Sequence, residues 1–486
     1  MILSAVVLTI VLLPRQESRL PNNMPREKVC SAQVEPQQGN LMGVLSVAGP
    51  GGTVCFAPGT YRLTAPLEPL NGQTLVSIEP RKAVLNGSAL IGSSQVSKSG
   101  SYWVVAGQTQ QGPIYNVDQY TNTCEPAGYQ GCRYPEQVFL DDQSLWQVTS
   151  LSALSSGEFY FDYGADKVYI ADDPTGRKLE IGIGAVALEG GTNVTVDGLV
   201  VEKFNTPAST AALRTGTGWK VLNCEVRYNN GGGTFSAGGS LIKDSYIHHN
   251  GQAGTFGSGN GAVLDGVEVA FNGINGYNTN WEGGGSKFVD SNGLTVMNSY
   301  YHDNTGIGIW FDIDNINTVV DNNRSTDNTA EGIVFEIGYK ATVSNNTVTG
   351  NAKDRFPSPG AFGAGILIVN NRDVEVYGNT VVGNFAGITG VQQPRGSGRY
   401  GLRETANLYV HDNIIGVAFG FEAAGIEALD CDCFEYFDSK NNRWQRNTYL
   451  LGDPAAQDAF EWKDALLPFK DWQALGMDTT GTVRAA

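Results

Sequence analysis

The chain has 486 residues, a formal net charge of −17 and 62 glycines. That negative field disfavours nucleic acid and polyanionic substrates and suits neutral substrates or bound cations. The length admits one large domain or two to three ordinary ones, and abundant glycine without a sustained helical period points to β structure rich in turns.

Met1 to Leu13 is almost wholly apolar and is followed by Pro14-Arg15. About a dozen apolar residues are too few to span a bilayer, so 1–29 reads as an export leader. The mature chain is then expected to be secreted and to have no membrane span. Export makes Cys30–Cys55 and Cys124–Cys132 disulfide candidates, while Cys431 and Cys433 sit together and Cys224 is expected to be a buried free thiol. No CxxC or HExxH occurs, and His248, His249, His302 and His411 lack metal-ligand spacing, so structural roles are expected for them.

Residues 30–97 read as an N-terminal cap and first coils, "GGTVCFAPGTYRLTAPLEPLNGQTLVSIEP" resembling the opening of many extracellular β-helix proteins. Residues 98–185 break the pattern with aromatic runs such as "EFYFDYGADKVYIADD", which predict antiparallel strands forming a small inserted β-sandwich. From 186 to 450 short runs recur, among them "VLNCEVRYN", "LIKDSYIHHN" and "VMNSYYHDN". They end at Asn229, Asn250, Asn272, Asn304, Asn328, Asn351 and Asn384, with spacings of 21, 22, 32, 24, 23 and 33. Within each run apolar residues alternate with period two and no amphipathic helix intervenes, so each run is a strand. Units this small bury no core alone and must stack. The predicted fold is an all-β, right-handed parallel β-helix with asparagines aligned at one turn. Residues 451–486, with "FEWKDALLPFKDWQALGMD", are expected to cap the last coil.

Counting eight residues on from the asparagines gives Asn280, Asp312, Glu336 and Gln392, with Val369 in the intervening unit. Aligning Gly387 on Gly332 gives Val391 instead of Gln392. Asp312 and Glu336 thus fall on neighbouring coils, about 5 Å apart. Like charges stacked on adjacent strands destabilise a sheet, and no basic residue lies between these two along the column, so a polar stripe alone explains them poorly. Trp310, Phe311 and Phe335 flank the acids. A carboxylate pair at this spacing fits a retaining glycosidase, where about 5–5.5 Å separates nucleophile from acid/base. Asp314 shares the neighbourhood and offers a third acid for a wider, inverting geometry. The long units supply walls: Trp281, Glu282 and Lys287 from the first, Arg355 and Phe356 from the second.

A β-helix interrupted by a β-sandwich, with "WFDID" and "VFEIGY" one coil apart, resembles the right-handed β-helix β-xylosidases within the wider pectate-lyase-like superfamily. The resemblance implies Asp312 as nucleophile, Glu336 as acid/base and an oligo- or polysaccharide as partner, with no cofactor. Asp314, Trp310, Asn280, Trp281, Glu282, Lys287 and Gln392 are the substrate-binding candidates. Two other classes stay open. A polysaccharide lyase would use Lys287, Arg355 or Arg395 as base, with Asp312, Asp314 and Glu336 holding Ca²⁺. A non-catalytic glycan-binding solenoid would use none of them.

Overall fold

The computed structural model describes residues 29–36, 39–114, 124–126, 129–353, 361–417, 422–433, 435–452, 458–463 and 465–485. The expected leader, Val29 apart, and the wall residues Arg355 and Phe356 lie outside these residues.

Three long sheets dominate, with 13, 13 and 11 strands. Each coil contributes one short strand to each sheet, as Thr295–Met297, Tyr300–His302 and Ile307–Phe311 do in turn. Successive coils pair in parallel: Ile309 lies beside Ile333, Ile333 beside Ile366, and Ile366 beside Ile388. Alternation decides which side chains point inward. Ile309 and Phe311 are wholly buried in the solenoid core, and Phe311 stacks between Phe288 and Phe335 with ring centroids 5.3 and 5.7 Å away. Trp310, between them in sequence, joins a second apolar cluster with Val334 and Leu367. The chain is therefore a right-handed parallel β-helix, as its repeat predicts.

The asparagine column is a hydrogen-bonded ladder. From Asn229 to Asn384 each side-chain Nδ2 donates to Oδ1 of the next asparagine at 2.8–3.0 Å, and every member is buried. The same Oδ1 atoms accept backbone N–H groups, as Asn328 does from Asn304 at 3.2 Å. A second ladder, which the repeat count passes over, joins Asn323, Asn346, Asn379, Asn413 and Asn447 at 2.9–3.0 Å. Asp478 closes it, accepting from Asn447 Nδ2 and from the Tyr449 hydroxyl at 2.8 Å.

Between the early coils and the main run stand a four-stranded and a five-stranded sheet. Their strands run from Ser88–Ile91 to Leu179–Gly182 and enclose their own core, including Val105, Leu140, Phe159 and Ile181. Buried Lys203 of the solenoid bonds Glu180 and Asp142 of this insert. At the far end the helix Phe469–Ala474 places Trp472 against Trp444, Phe460 and Trp462. Cys30–Cys55, Cys124–Cys132 and Cys431–Cys433 are disulfide-bonded, and Cys224 is free and buried. No helix among the described residues is long and apolar enough to cross a membrane.

Asn328 bonds the coil carrying Asp312 to the coil carrying Glu336. Asn328→Ala removes the acceptor shared by the backbone N–H and one side-chain N–H of Asn304, and is expected to cost about 3 kcal/mol locally. Amide hydrogen exchange across Ile307–Phe311 and Ile333–Glu336 should then accelerate about 100-fold.

Candidate active site

Asp312 immediately follows the strand Ile307–Phe311, and Glu336 ends the strand Ile333–Glu336 of the next coil. Phe311 pairs with Phe335, so the acids that follow them are in register on adjacent strands, about 4.8 Å apart along the backbone. Both share the outward side of this sheet with Trp310. Asp312 is only 7% exposed and Glu336 is half-buried, so the pair is set down among its neighbours rather than on an open stripe.

Each acid has its own cation. Lys287, on the preceding coil and paired in register with Trp310, places Nζ 2.9 Å from Asp312 Oδ2. The same ammonium lies 3.9 Å from the Trp310 ring centroid, 3.2 Å from the Trp281 carbonyl and 3.8 Å from Glu282. The Ile313 backbone N–H donates to Asp312 Oδ1 at 2.8 Å. Arg395, which follows the strand Ala386–Gln392 two coils further on, reaches Glu336 Oε1 at 2.9 Å, and Trp310 Nε1 donates to Oε2 at 3.3 Å. No basic residue stands between the two acids along the column, and each ion pair reaches in from elsewhere. The cations come from above and beside the column, not from within it.

These environments differ in kind. Burial raises the pKa of Glu336 above its ordinary value, and the charge of Asp312 raises it further. Arg395 and, less strongly, Lys287 oppose the rise. A carboxyl biased toward its protonated form therefore faces one that is ion-paired to a buried ammonium and bonded by a backbone N–H.

Asp314 has a different task. Ile313 and Asp314 both adopt left-handed backbone, with φ of 49° and 57°, which turns the chain out of the sheet. The Asp314 carboxylate accepts from Arg403 at 3.0 Å and from the backbone N–H of Arg399 at 3.1 Å. Those residues belong to a hairpin whose strands Ser397–Gly398 and Gly401–Leu402 pair antiparallel. The Tyr339 hydroxyl also donates to the Gly401 carbonyl at 2.8 Å. Asp314 thus clamps the hairpin whose base carries Arg395, and is not a third acid beside the pair.

Two members of the expected column are misplaced. Asn280 is exposed in the loop between Asn272 and the strand Gly284–Phe288, because the extra residues of that coil precede the strand. The position beside Asp312 on that side follows Phe288 and is Val289. On the other side Glu336 pairs with Val369 and Val369 with Val391, while Gln392 lies one place further on. The turn from Asn384 to Gly387 is one residue shorter than that from Asn328 to Gly332, which shifts the count. Gln392 accepts from the Thr405 backbone N–H at 2.7 Å and secures the base of the hairpin. Glu282 is engaged with Ser209 as well as Lys287. Trp281 packs at the edge of a cluster with Tyr277 and Cys132.

The three acids that the lyase alternative assigns to Ca²⁺, Asp312, Asp314 and Glu336, are engaged in separate ion pairs, with Lys287, Arg403 and Arg395. Among the described residues no group of three or more His, Cys, Asp or Glu side chains is placed to hold a metal ion.

A family model described as the right-handed beta helix region matches residues 210–389. No curated protein sequence matches the chain. Among solved structures, a complex of XylC with xylose superposes with a TM-score of 0.69 at 14% identity, over 91% of this chain and 82% of that one. The Azotobacter vinelandii mannuronan C-5 epimerase AlgE6 A-module gives 0.49 at 14% identity, over 91% and 93%. A glycoside hydrolase gives 0.46 at 12% identity, over 85% and 96%. At such identities the XylC likeness speaks for the fold, and the two lower scores add nothing to it.

The charges around Glu336 make a two-way prediction. Asp312→Asn removes a raising influence and should lower the Glu336 pKa, whereas Arg395→Ala removes a lowering one and should raise it. A carboxyl ¹³C titration of each variant checks this, and shifts in one direction for both would contradict it.

Proposed function

We propose that the chain is a secreted retaining glycoside hydrolase acting on a neutral or mildly substituted glycan. One observation carries this reading: two carboxyl groups in register on adjacent coils, each ion-paired to its own cation, with Glu336 pushed above its ordinary pKa by burial and by Asp312. The spacing of neighbouring strands is closer to the roughly 5–5.5 Å separation of a retaining pair than to the roughly 6.5–9.5 Å of an inverting one.

In the first step Glu336 gives its proton to the glycosidic oxygen while Asp312 attacks the anomeric carbon. The carbon–oxygen bond to the leaving group breaks, and a glycosyl ester forms on Asp312. Lys287 occupies one Asp312 oxygen and the Ile313 N–H bonds the other, so the carboxylate is fixed in orientation before attack. In the second step Glu336, now ionised and paired with Arg395, takes a proton from water. The resulting hydroxide attacks the same carbon and releases Asp312, and two inversions give net retention. Burial favours the protonated form of Glu336 needed first, and Arg395 stabilises the ionised form needed second.

The net charge of −17 supports a neutral substrate. Three disulfides among the described residues support an oxidising compartment, and with it secretion. No cofactor enters the mechanism.

A panel of aryl glycosides tests the proposal. Asp312→Ala and Glu336→Ala should each lower turnover by about 10³-fold or more. Azide should rescue Asp312→Ala with a glycosyl azide of inverted configuration. Wild-type activity in both variants would remove these residues from the chemistry.

A further inference from the structure

The residue just before each ladder asparagine adopts left-handed backbone, and so does Lys203, which precedes Phe204 at the equivalent place one coil before Asn229. In the later coils this place is held by Asp303, Asp327, Gly350 and Gly383, with φ of 52–72°. These are residue types that accept the conformation at low cost. In the earlier coils it is held by Lys203, Tyr228, His249 and Phe271, with φ of 53–62°. Bulky residues here are strained, and a run of four on consecutive coils calls for a compensating use.

Two of the four have one. Lys203 bonds Glu180 and Asp142 of the inserted sheets, and Tyr228 lies edge-on to Phe139 with centroids 6.4 Å apart. Beyond the insert the strip continues into the open. His249 stacks 5.3 Å from Tyr228 and 5.1 Å from Phe271, and Phe271 is 37% exposed. Phe271 meets His302 edge-on at 5.5 Å. Carboxylates rim the rings: Glu225 bonds His248, while Glu268 and Asp303 bond His302. The segment leaving Phe271 ends at Trp281 and Glu282, which touch Lys287 at the candidate site.

We propose that Phe271, backed by His249, forms a second glycan-binding surface, taking a neutral polysaccharide chain by stacking a sugar C–H face on the open side of its ring. The carboxylate rim supplies acceptors for hydroxyl groups and repels polyanions. Ring faces carry negative quadrupole density that attracts the polarised C–H groups of a pyranose. Burial and the neighbouring His248 push His249 down to about 4, so at neutral pH it is an uncharged ring. The inference rests on the glycan reading of the chain and adds a site that serves polymers but not small aryl glycosides.

The test uses the full chain carrying Asp312→Asn, so that bound polymer is not cleaved, and soluble xylan, glucan and mannan as probes in affinity electrophoresis. At least one probe should retard the protein, with polygalacturonate giving none. Adding His249→Gly and Phe271→Gly should weaken retardation by about tenfold. With Asp312 intact, the same two substitutions should leave aryl-glycoside turnover unchanged, and the melting temperature should hold or rise because glycine relieves the backbone strain. Retardation by none of the three probes, or equal retardation with and without the rings, would overturn the proposal. Polymer binding that needs the rings in a protein without aryl-glycoside turnover would uphold this surface and contradict the hydrolase reading alone.

Discussion

The amide of Asn304 donates to Asn328 at 2.8 Å, and the same bond repeats along the solenoid. Everything at the candidate site depends on it. A parallel β-helix has no local device, such as a hairpin turn, to set the register of one coil on the next. Backbone ladders alone tolerate slippage, and a slip of one residue would turn an outward acid inward. A buried asparagine that must find the asparagine of the next coil makes every other register costly, because a displaced amide is left unpaired. Asp312 and Glu336 each stand eight residues beyond their ladder asparagine, so the ladder fixes their spacing.

Register alone would set two negative charges side by side at a poorly hydrated site. The molecule relieves that repulsion with two cations of different origin. Lys287 comes from the solenoid, one coil before Asp312, and is itself enclosed by Trp310, Trp281 and Glu282. Arg395 comes from outside the repeat, at the base of a hairpin that Asp314, Tyr339 and Gln392 fasten down. The rigid cation sits on the acid assigned to attack. The cation on the longer connection sits on the acid that must change protonation state. The proposed roles lean on this difference and on the raised pKa of Glu336, and not on the fold, which serves many chemistries.

Much of this was legible in the sequence. The asparagine spacing yields the β-helix and the adjacency of Asp312 and Glu336, because the period is a local property that repeats, whereas Phe311 and Phe335, expected to flank the acids, point into the core. What else escaped was non-repeating. Asn280 was drawn into the column by a count that ignored where the extra residues of its coil lie, and Gln392 by a turn one residue shorter than its neighbours. Lys287 was visible as a wall residue, but its bond to Asp312 depends on coil-to-coil register. Arg395 stands in "PRGSGRYG", whose glycines signal a turn and say nothing of which coil the hairpin folds back upon. The clamp by Asp314 joins residues 89 apart in sequence and has no local signature.

In the proposed double displacement the ladder holds Asp312 as nucleophile and Glu336 as acid/base. Incubation with an activated 2-deoxy-2-fluoroglycoside of a sugar that the protein turns over, followed by peptide mass spectrometry, traps the ester. Stoichiometric glycosylation of Asp312, with loss of activity at the same rate, is expected. A label on Glu336, or rapid turnover with no ester and an inverted product, would contradict these roles.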